Sequence, residues 1–280
     1  SGTLSWATPA SGASIGGAVT SGTAGSLLYV SSTAIMGQNN SNLFWDTANL
    51  RLGIGTNTPS STLHVAGAIT LPSTTSSVIG VVNLDATRFI HAYGTRNAFV
   101  GAGSGNFTLT GTDNVGVGSS TLAAVTTGNL NVAIGSGALK ANTTGIENTA
   151  IGYNALTGNT TGYNNTASGL NALYTNTTGG DNVASGYYAL YGNTTGNYNV
   201  SSGRQALFSN TTASNNTAIG KDSLYSNTTA SNNTALGYQA GYSNATGTPN
   251  TAVGYQALYA NRASNNDAFG YQTLDSNTTG

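Results

Sequence analysis

Eight carboxylates and two histidines are the side chains of this 280-residue chain that could do acid–base or metal chemistry. Hydrolysis of a glycan needs two carboxylates only several ångströms apart. Asp113 and Asp181 occupy equivalent positions four copies apart in a 17-residue repeat, which at the spacing of stacked strands separates them by about 19 Å. The chain is therefore predicted not to be an enzyme. Its carboxylates are Asp46, Asp85, Asp113, Glu147, Asp181, Asp222, Asp267 and Asp275.

The histidines and the glycine-rich strings also have simpler explanations than chemistry. His64 lies in TLHVAG and His91 in RFIHAYG, and a lone histidine on a strand is usually a hydrogen-bonded structural residue. No glycine-rich string carries the lysine of a phosphate-binding loop. We expect no catalytic residue, no cofactor and no metal.

The element that positions these side chains is the repeat itself. From Asn131 the chain reads NVAIGSGALKANTTGIE, NTAIGYNALTGNTTGYN and NTASGLNALYTNTTGGD, and it continues in the same register. The register extends back to Asn97 and forward to a copy that opens at Asn266 after a one-residue deletion. Repetition at a fixed period indicates stacked structural units. Residues 97–280 are predicted to form about eleven coils.

Three positions of the repeat predict how the coils pack. The fifth is always Gly, which indicates positive φ or a close backbone approach. The third is always small in the coils that open at Asn131 to Asn216, which indicates a tight interior. The ninth is nearly always Leu, which predicts an apolar core ladder. This ladder contains Leu139, Leu156, Leu173, Leu190, Leu207, Leu224 and Leu258.

Composition favours strands over helices for this unit. A helix–turn–helix repeat of twice the length exists, but Gly, Thr and Asn are poor in helix interiors, and 17 residues leave no room for two ordinary helices. The fold class is predicted to be all-β: a β-solenoid, or parallel β-roll, with short strands at VAIG and GALKA and corners at SG or YN and at NTTG. Eleven coils make a rod of about 50 Å.

Two polar columns and one aromatic column follow from the same register. Asn at the corners can adopt a left-handed backbone and bond its own turn, and stacked Asn side chains can also bond one another along the axis. The corner asparagines followed by x-Thr are also candidate glycan attachment sites: Asn142, Asn159, Asn176, Asn193, Asn210, Asn227, Asn244 and Asn277. With Phe208, the aromatic column contains Tyr174, Tyr191, Tyr225, Tyr242 and Tyr259, which are candidate stacking platforms for sugar rings.

Charge excludes several partners. Only 5% of the residues are charged and the formal net charge is -1, so the chain has no basic footprint for nucleic acid. No apolar run approaches the roughly 20 residues that cross a bilayer, so no membrane insertion is expected. Fifteen tyrosines and the strict period distinguish the chain from a disordered linker of similar polarity.

The first third predicts different elements. Residues 1–35 are rich in Gly, Ser and Thr and predict an extended arm that ends in a strand near Leu28. Residues 36–96 predict a small β-rich connecting domain, in which LFWDTANLRLGIG forms a hairpin with its turn at DTAN and a further strand follows Pro59.

Two groups of known proteins resemble parts of this chain. The string N-[TV]-A-[IVLS]-G resembles the head repeat of trimeric autotransporter adhesins of the YadA type, whose coils are usually shorter. FWDTANLRLGIGTNTPSSTLHVAGAIT and DATRFIHAYGTRNAFVG resemble segments of phage tail fibres and bacterial surface fibre proteins. The resemblance implies a left-handed parallel β-roll with three chains to a head, and it carries no catalytic residue.

The function expected from these features is structural. We expect an extracellular fibre or stalk subunit, on a cell surface or a virion tail, that sets length and presents a surface. Packing of the apolar fourth position against sister chains predicts a homotrimer, with a monomeric solenoid or an end-to-end polymer as alternatives. The alternative function is a carbohydrate-binding module that recognises cell-surface glycans through its Tyr column.

Overall fold

The structure is a computed structural model that describes residues 28–30, 36–38, 43–46, 48–72, 80–85 and 87–277, with the first two segments as backbone only. Its regular elements are strands throughout these residues. They are β1 (Leu28–Val30), β2 (Met36–Gln38), β3 (Leu43–Asp46), β4 (Arg51–Ile54), β5 (Leu63–Val65), β6 (Val82–Leu84), β7 (Thr87–His91), β8 (Ala98–Val100), β9 (Val115–Val117), β10 (Val132–Ile134), β11 (Thr149–Ile151), β12 (Thr166–Ser168), β13 (Val183–Ser185), β14 (Val200–Ser202), β15 (Thr217–Ile219), β16 (Thr234–Leu236), β17 (Asn250–Val253) and β18 (Asn266–Phe269).

The repeat folds as a β-solenoid, which confirms the predicted fold class. Strands β8 to β18 are parallel and pair in sequence order, so each turn of the chain adds one strand to the same sheet. Equivalent residues pair directly: Ala133 pairs with Ala150, and Ala150 with Ala167. Antiparallel β6 and β7 extend this sheet at its N-terminal edge to 13 strands.

Each coil has one strand, not the two that were predicted. The GALKA segment runs through turns, and its backbone bonds to the next coil, as from the Leu139 amide to the Ala155 carbonyl at 3.0 Å. The ladder leucine lies at its centre with positive φ, 53° at Leu190. Left-handed backbone ends a strand, so the prediction of a second strand was wrong.

Small residues and leucine fill the interior of the coil. The third-position alanines Ala133, Ala150 and Ala167 have no exposed surface, and neither do Leu139, Leu156 and Leu173 of the core ladder. On each side of a central alanine the strand residues point outward, giving the exposed–buried–exposed pattern of β13. The apolar core is a narrow column in which Leu stacks on Leu and Ala on Ala.

The fifth-position glycine is required for two reasons. At Gly186 φ is +136°, a backbone that L residues rarely adopt. A Cβ at Gly186 would also lie 2.6 Å from the Gly203 carbonyl oxygen in the next coil. The column of glycines therefore lets successive backbones approach each other at the corner after each strand.

The N-terminal part of the described chain forms smaller sheets. Strands β1 and β2 pair antiparallel, and β3, β4 and β5 form a three-stranded sheet with β4 in the centre. The β3–β4 hairpin turns after Asp46, as predicted, and β5 is the strand after Pro59. The compact units divide between Leu71 and Pro72, because β6 and β7 belong to the large sheet; the predicted boundary at 96/97 is displaced. Most of the predicted arm, residues 1–27, lies outside the described residues.

Candidate interaction surfaces

The opening asparagines of the coils form a buried ladder. The Asn131 Nδ2 donates to the Asn114 Oδ1 at 3.0 Å and to the Gly145 carbonyl at 2.9 Å. The Asn131 backbone amide also donates to the Asn114 Oδ1, at 3.1 Å. This arrangement recurs in successive coils. Each Asn side chain donates to the preceding coil, and its Oδ1 accepts from the Asn of the following coil.

The corner asparagines form a second buried ladder. The Asn159 Nδ2 donates to the Asn142 Oδ1 at 2.8 Å and to the Gly162 carbonyl at 3.0 Å. From Asn142 to Asn227 these side chains have no exposed surface, and Asn244 is 1% exposed. The corner asparagines therefore bond both one another and their own turn, and the left-handed backbone lies elsewhere, for example at Asn164 with φ +51°.

This burial corrects the expectation of glycans on the NTT corners. The Nδ2 atom that would carry the sugar lies inside the coil and donates both of its hydrogen atoms to protein acceptors. The corner sequons from Asn159 to Asn227 share this environment. Asn142 and Asn244 are also buried but donate one hydrogen bond each, to the Gly145 and Gly247 carbonyls, and Asn277 is only partly buried. The asparagines of the NNT sequons, Asn164, Asn215 and Asn232, are exposed.

Replacing Asn176 with Ala should lower the free energy of unfolding by about 3 kcal/mol, because it removes three buried hydrogen bonds, to Asn159, Gly179 and Asn193, and leaves the Asn159 Oδ1 without a partner. Chemical denaturation would measure the change. Thr178→Ala is the matched control, since it removes the same sequon at an exposed position and should stay within about 0.5 kcal/mol of the parent. Equal losses in both variants would contradict the ladder.

Both ladders are interrupted around the coil that opens at Asn233. The Asn227 Oδ1 and both polar side-chain atoms of Asn233 are buried without a hydrogen-bond partner. In the same coil Gly241 takes the place of the ladder leucine, with φ +62°. A buried polar atom without a partner costs free energy, so the two coils that open at Asn216 and Asn233 are less well satisfied than those before them in the regular stack.

The predicted aromatic column is a continuous stack. Consecutive rings from Tyr174 to Tyr259, including Phe208, lie 5.1–5.2 Å apart between centroids with planes 5–11° from parallel. Each inner ring therefore has both faces covered by its neighbours. A sugar ring cannot stack on these faces, so the column does not provide the platforms that were expected. A second stack joins Tyr238, Tyr255 and Tyr271.

Asp113, Asp181 and Asp46 each accept hydrogen bonds from residues beside them. Asp113 accepts two hydrogen bonds from the Arg96 guanidinium, at 2.5 and 2.7 Å, and these bonds with one from Thr112 lower the pKa of Asp113 to about 2. The Asp181 Oδ1 accepts from the Asn164 Nδ2 at 3.1 Å. The Asn49 amide group lowers the pKa of Asp46 in the β3–β4 turn. These residues remain in separate places, and the structure does not bring them together.

His91 is part of a polar and aromatic cap at the N-terminal end of the solenoid. It is 3% exposed, and its Nε2–H donates to the Ser104 carbonyl at 2.8 Å while its Nδ1 accepts from the Tyr93 amide at 3.3 Å. Phe99 and Phe107 lie 4.9 and 4.6 Å from its ring. Both ring nitrogens make hydrogen bonds to the backbone, which fits the structural role predicted for this residue.

The stability of this cap should fall as the pH falls below about 6.5, the ordinary value for histidine. Burial lowers the pKa of His91, the bond to Ser104 opposes the shift, and the nearby Arg88 charge adds to it. Because the unfolded chain binds the proton more readily, the stability is complete above the unfolded pKa and is lost as the pH falls through the folded one. NMR titration of His91 and amide exchange in β7 would measure this. A His91 midpoint at or above 6.5 would contradict it.

The outward positions of the solenoid sheet form its apolar outer face. From β9 to β16 the fourth position of the coil is exposed, and it carries Val117, Ile134 and Ile151 at one end and Ile219 and Leu236 towards the other. The central coils carry Ser168, Ser185 and Ser202 instead. The face thus consists of two apolar patches separated by a polar one, whereas the sequence analysis treated the fourth position as one apolar stripe.

The described residues contain no helix long and apolar enough to span a membrane. Within the same residues, no three His, Asp or Glu side chains lie close enough together to hold a metal ion. Comparisons with protein-family models, with curated proteins and with solved structures find no match to this chain.

Proposed function

We propose that this chain is a structural subunit of an extracellular fibre or stalk, on a cell surface or a virion tail, and that it acts through its length and surface rather than through chemistry. The observation that carries the proposal is the uninterrupted parallel stack of β8 to β18, in which every coil adds one strand in the same register. A stack of this kind grows along one axis, as repeat proteins do.

The side-chain ladders support a mechanical role for the rod. From Asn142 to Asn227 the coils bond their neighbours through the sheet, through two Asn ladders and through threonine hydroxyls, such as the Thr160 Oγ1 that donates to the Thr177 carbonyl at 3.0 Å. These contacts run along the axis, so a pull along the rod is shared among several columns of hydrogen bonds. The same columns use few charges, which makes the rod insensitive to salt.

The apolar outer face supports self-association of the subunits as a homotrimer or another polymer. Val117, Ile134 and Ile151 are each 40–44% exposed on adjacent strands. Contiguous exposed apolar side chains mark interaction sites in soluble proteins. Packing such a face against sister chains would add burial to coils whose own apolar interior is mainly Ala and Leu.

A deletion of whole coils tests the proposed length-setting role. Removing residues 165–198 takes out two coils and joins Asn164 to Asn199, so the register continues. We expect a folded rod that is shorter by about 10 Å, measured by small-angle scattering or electron microscopy. The control removes residues 165–189, which is not a whole number of coils, and should break the stack. A folded protein of unchanged length after the first deletion would contradict the proposal.

A further inference from the structure

The ladder of corner asparagines ends at one junction of the rod. From Asn159 to Asn227 each corner Nδ2 donates to the corner Oδ1 of the preceding coil. At the next corner the Asn244 Nδ2 donates instead to the Gly247 carbonyl of its own turn, and the Asn227 Oδ1 is buried without a partner. The corner ladder therefore stops between the coil of residues 216–232 and the coil of residues 233–249, at what we call the 232/233 junction.

The ladder of opening asparagines weakens at the same junction. From Asn114 to Asn199 each opening Nδ2 donates to the Oδ1 of the preceding coil and to a backbone carbonyl. Asn233 keeps the bond from its backbone amide to the Asn216 Oδ1 at 2.9 Å. Both polar atoms of its side chain, however, are buried without a partner, so the side-chain bond of this ladder is also lost.

The apolar core and the backbone lose contacts there as well. Gly241 takes the ninth position, which Leu224 holds in the coil before and Leu258 in the coil after. The core ladder therefore lacks one leucine side chain directly beyond the junction. Pro249 closes the same coil without an N–H, whereas the Asn232 amide at the equivalent position donates to the preceding coil at 3.1 Å.

The three coils beyond the junction are joined by two columns of their own. A glutamine column bonds them through side-chain amides, at 2.9 Å for each step. A tyrosine stack lies beside it, with ring centroids 5.3 and 5.0 Å apart. The coil before the junction carries Lys221 and Asp222 at the equivalent positions, so neither column continues across it. The columns contain Gln239, Gln256 and Gln272, and Tyr238, Tyr255 and Tyr271.

The junction is still held together by backbone pairing and by some side chains. Strand β15 pairs with β16 in the regular register. The Thr228 Oγ1 donates to the Ala245 carbonyl at 3.1 Å, and the first aromatic column continues from Tyr225 to Tyr242. The coils are thus stacked in order across the junction, but with fewer side-chain contacts than the coils before it.

We propose that residues 233–277 open as one unit at the 232/233 junction, before the rest of the solenoid unfolds. Folded proteins open locally in contiguous units, and a stack of repeats is held by the contacts between neighbours, so it separates first at its weakest interface. The rod then opens at a fixed coil and can close again on a preformed edge. This inference goes beyond the proposed function, since a fibre of uniform stability would serve the same structural role.

Hydrogen exchange of the whole chain, measured by mass spectrometry under native conditions, tests the proposal. Peptides that cover β16, β17 and β18 should exchange together, about tenfold or more faster than peptides that cover β13, β14 and β15. A gradual rise in exchange towards the C-terminal end, with β18 much faster than β16, is simple fraying and would overturn the proposal. Equal protection of all six strands would overturn it too.

Gly241→Leu restores the ladder leucine at the junction. The equivalent leucines adopt a similar left-handed backbone, with φ 47° at Leu224 and 52° at Leu258 against 62° at Gly241. The new Cβ would lie 2.9 Å from the Leu224 Cδ2, the movable end of a side chain. Because the variant fills the core between the two coils, it should slow the exchange of β16, β17 and β18 together by about tenfold or more.

Gly103→Leu is the matched control for this variant. It makes the same substitution at a left-handed glycine, φ +67°, close to the other end of the solenoid, where a Cβ would meet the Ser120 Oγ at 3.6 Å. It should leave the exchange of β16, β17 and β18 unchanged, because Gly103 lies far along the chain from the junction.

The outcomes leave the fibre proposal separate from this inference. Joint fast exchange of the three strands, slowed by Gly241→Leu and not by Gly103→Leu, supports the opening unit. Exchange that Gly241→Leu leaves unchanged, or that both variants slow equally, overturns it. If Gly241→Leu does not fold, the exchange profile of the parent decides by the criteria above. The deletion of whole coils remains the test of the fibre proposal in every case.

Discussion

Leu190→Asp is expected to unfold the solenoid around β13, with a loss in free energy of unfolding of about 4 kcal/mol or more. Leu190 has no exposed surface and stacks in the core ladder between Leu173 and Leu207. A carboxylate there would have no partner, and the burial of an unpaired charge is among the few changes that cost this much. Urea denaturation followed by circular dichroism would measure the loss.

Lys221→Ser is the control for this variant, because the Lys221 side chain is 43% exposed and makes an ion pair with Asp222 at 3.4 Å and a contact with the Tyr238 ring at 5.1 Å. Contacts of so exposed a cation should contribute about 1 kcal/mol, well below the loss expected for Leu190→Asp. The two variants together test whether the ninth position is the interior of the coil. Equal tolerance of both substitutions would contradict the core described for this fold.

Gly186→Ala is expected to have the second largest effect, a loss of about 3 kcal/mol or more. The backbone of Gly186 has φ +136°, where an L residue is strained by about 1–3 kcal/mol. The added Cβ would also lie 2.6 Å from the Gly203 carbonyl oxygen. Because that oxygen belongs to the backbone of the next coil, the clash can be relieved only by separating the two coils.

Gly103→Ala separates strain from steric conflict. Gly103 has φ +67°, in the left-handed region that costs about 1–2 kcal/mol for an L residue, and a Cβ there would meet only the Ser120 Oγ at 3.6 Å. Thermal denaturation of both variants would compare them. Similar losses would mean that the close approach of the Gly column does not contribute, contrary to the structure.

The columns that run along the axis could be predicted from the sequence because the chain repeats itself. The Gly, Ala and Leu columns recur at fixed positions in successive coils. Such a recurrence is not explained by the overall composition, so each position can be assigned one structural role. The structure gives each of them the physical role that was inferred: close backbone approach at Gly186, a tight interior at Ala184 and an apolar ladder at Leu190.

What the sequence did not disclose is where the backbone turns left-handed. Leucine is a poor candidate for positive φ, yet Leu190 adopts it in a fully buried position. The burial and stacking of the leucine side chain offset the free-energy cost of a left-handed backbone, a cost that on conformational preference alone would exclude leucine from this position. The same turn removes the predicted second strand. It also leaves Asn142 with its side chain inside the coil, where a sequon was expected at an exposed corner.

The apolar side of the sheet of β3, β4 and β5 shows a further limit of sequence analysis. Alternating residues predicted a hairpin over residues 43–54, and the structure confirms it. Whether the apolar side of such a hairpin is covered depends on the third strand and on the segment after β4, which contains a buried Pro59 and no periodic signal. Leu43, Trp45 and Leu63 on that side are partly exposed, a property of the tertiary arrangement rather than of any one strand.

Cryo-electron microscopy of the protein as isolated tests the central claim most directly, namely that the chain is an associating rod of stacked coils. The account predicts elongated particles in which coils repeat every 4.8 Å or so, joined to sister chains, with no sugar density beyond the corner asparagines such as Asn176. Single, unassociated particles, or sugar on Asn176, would contradict it.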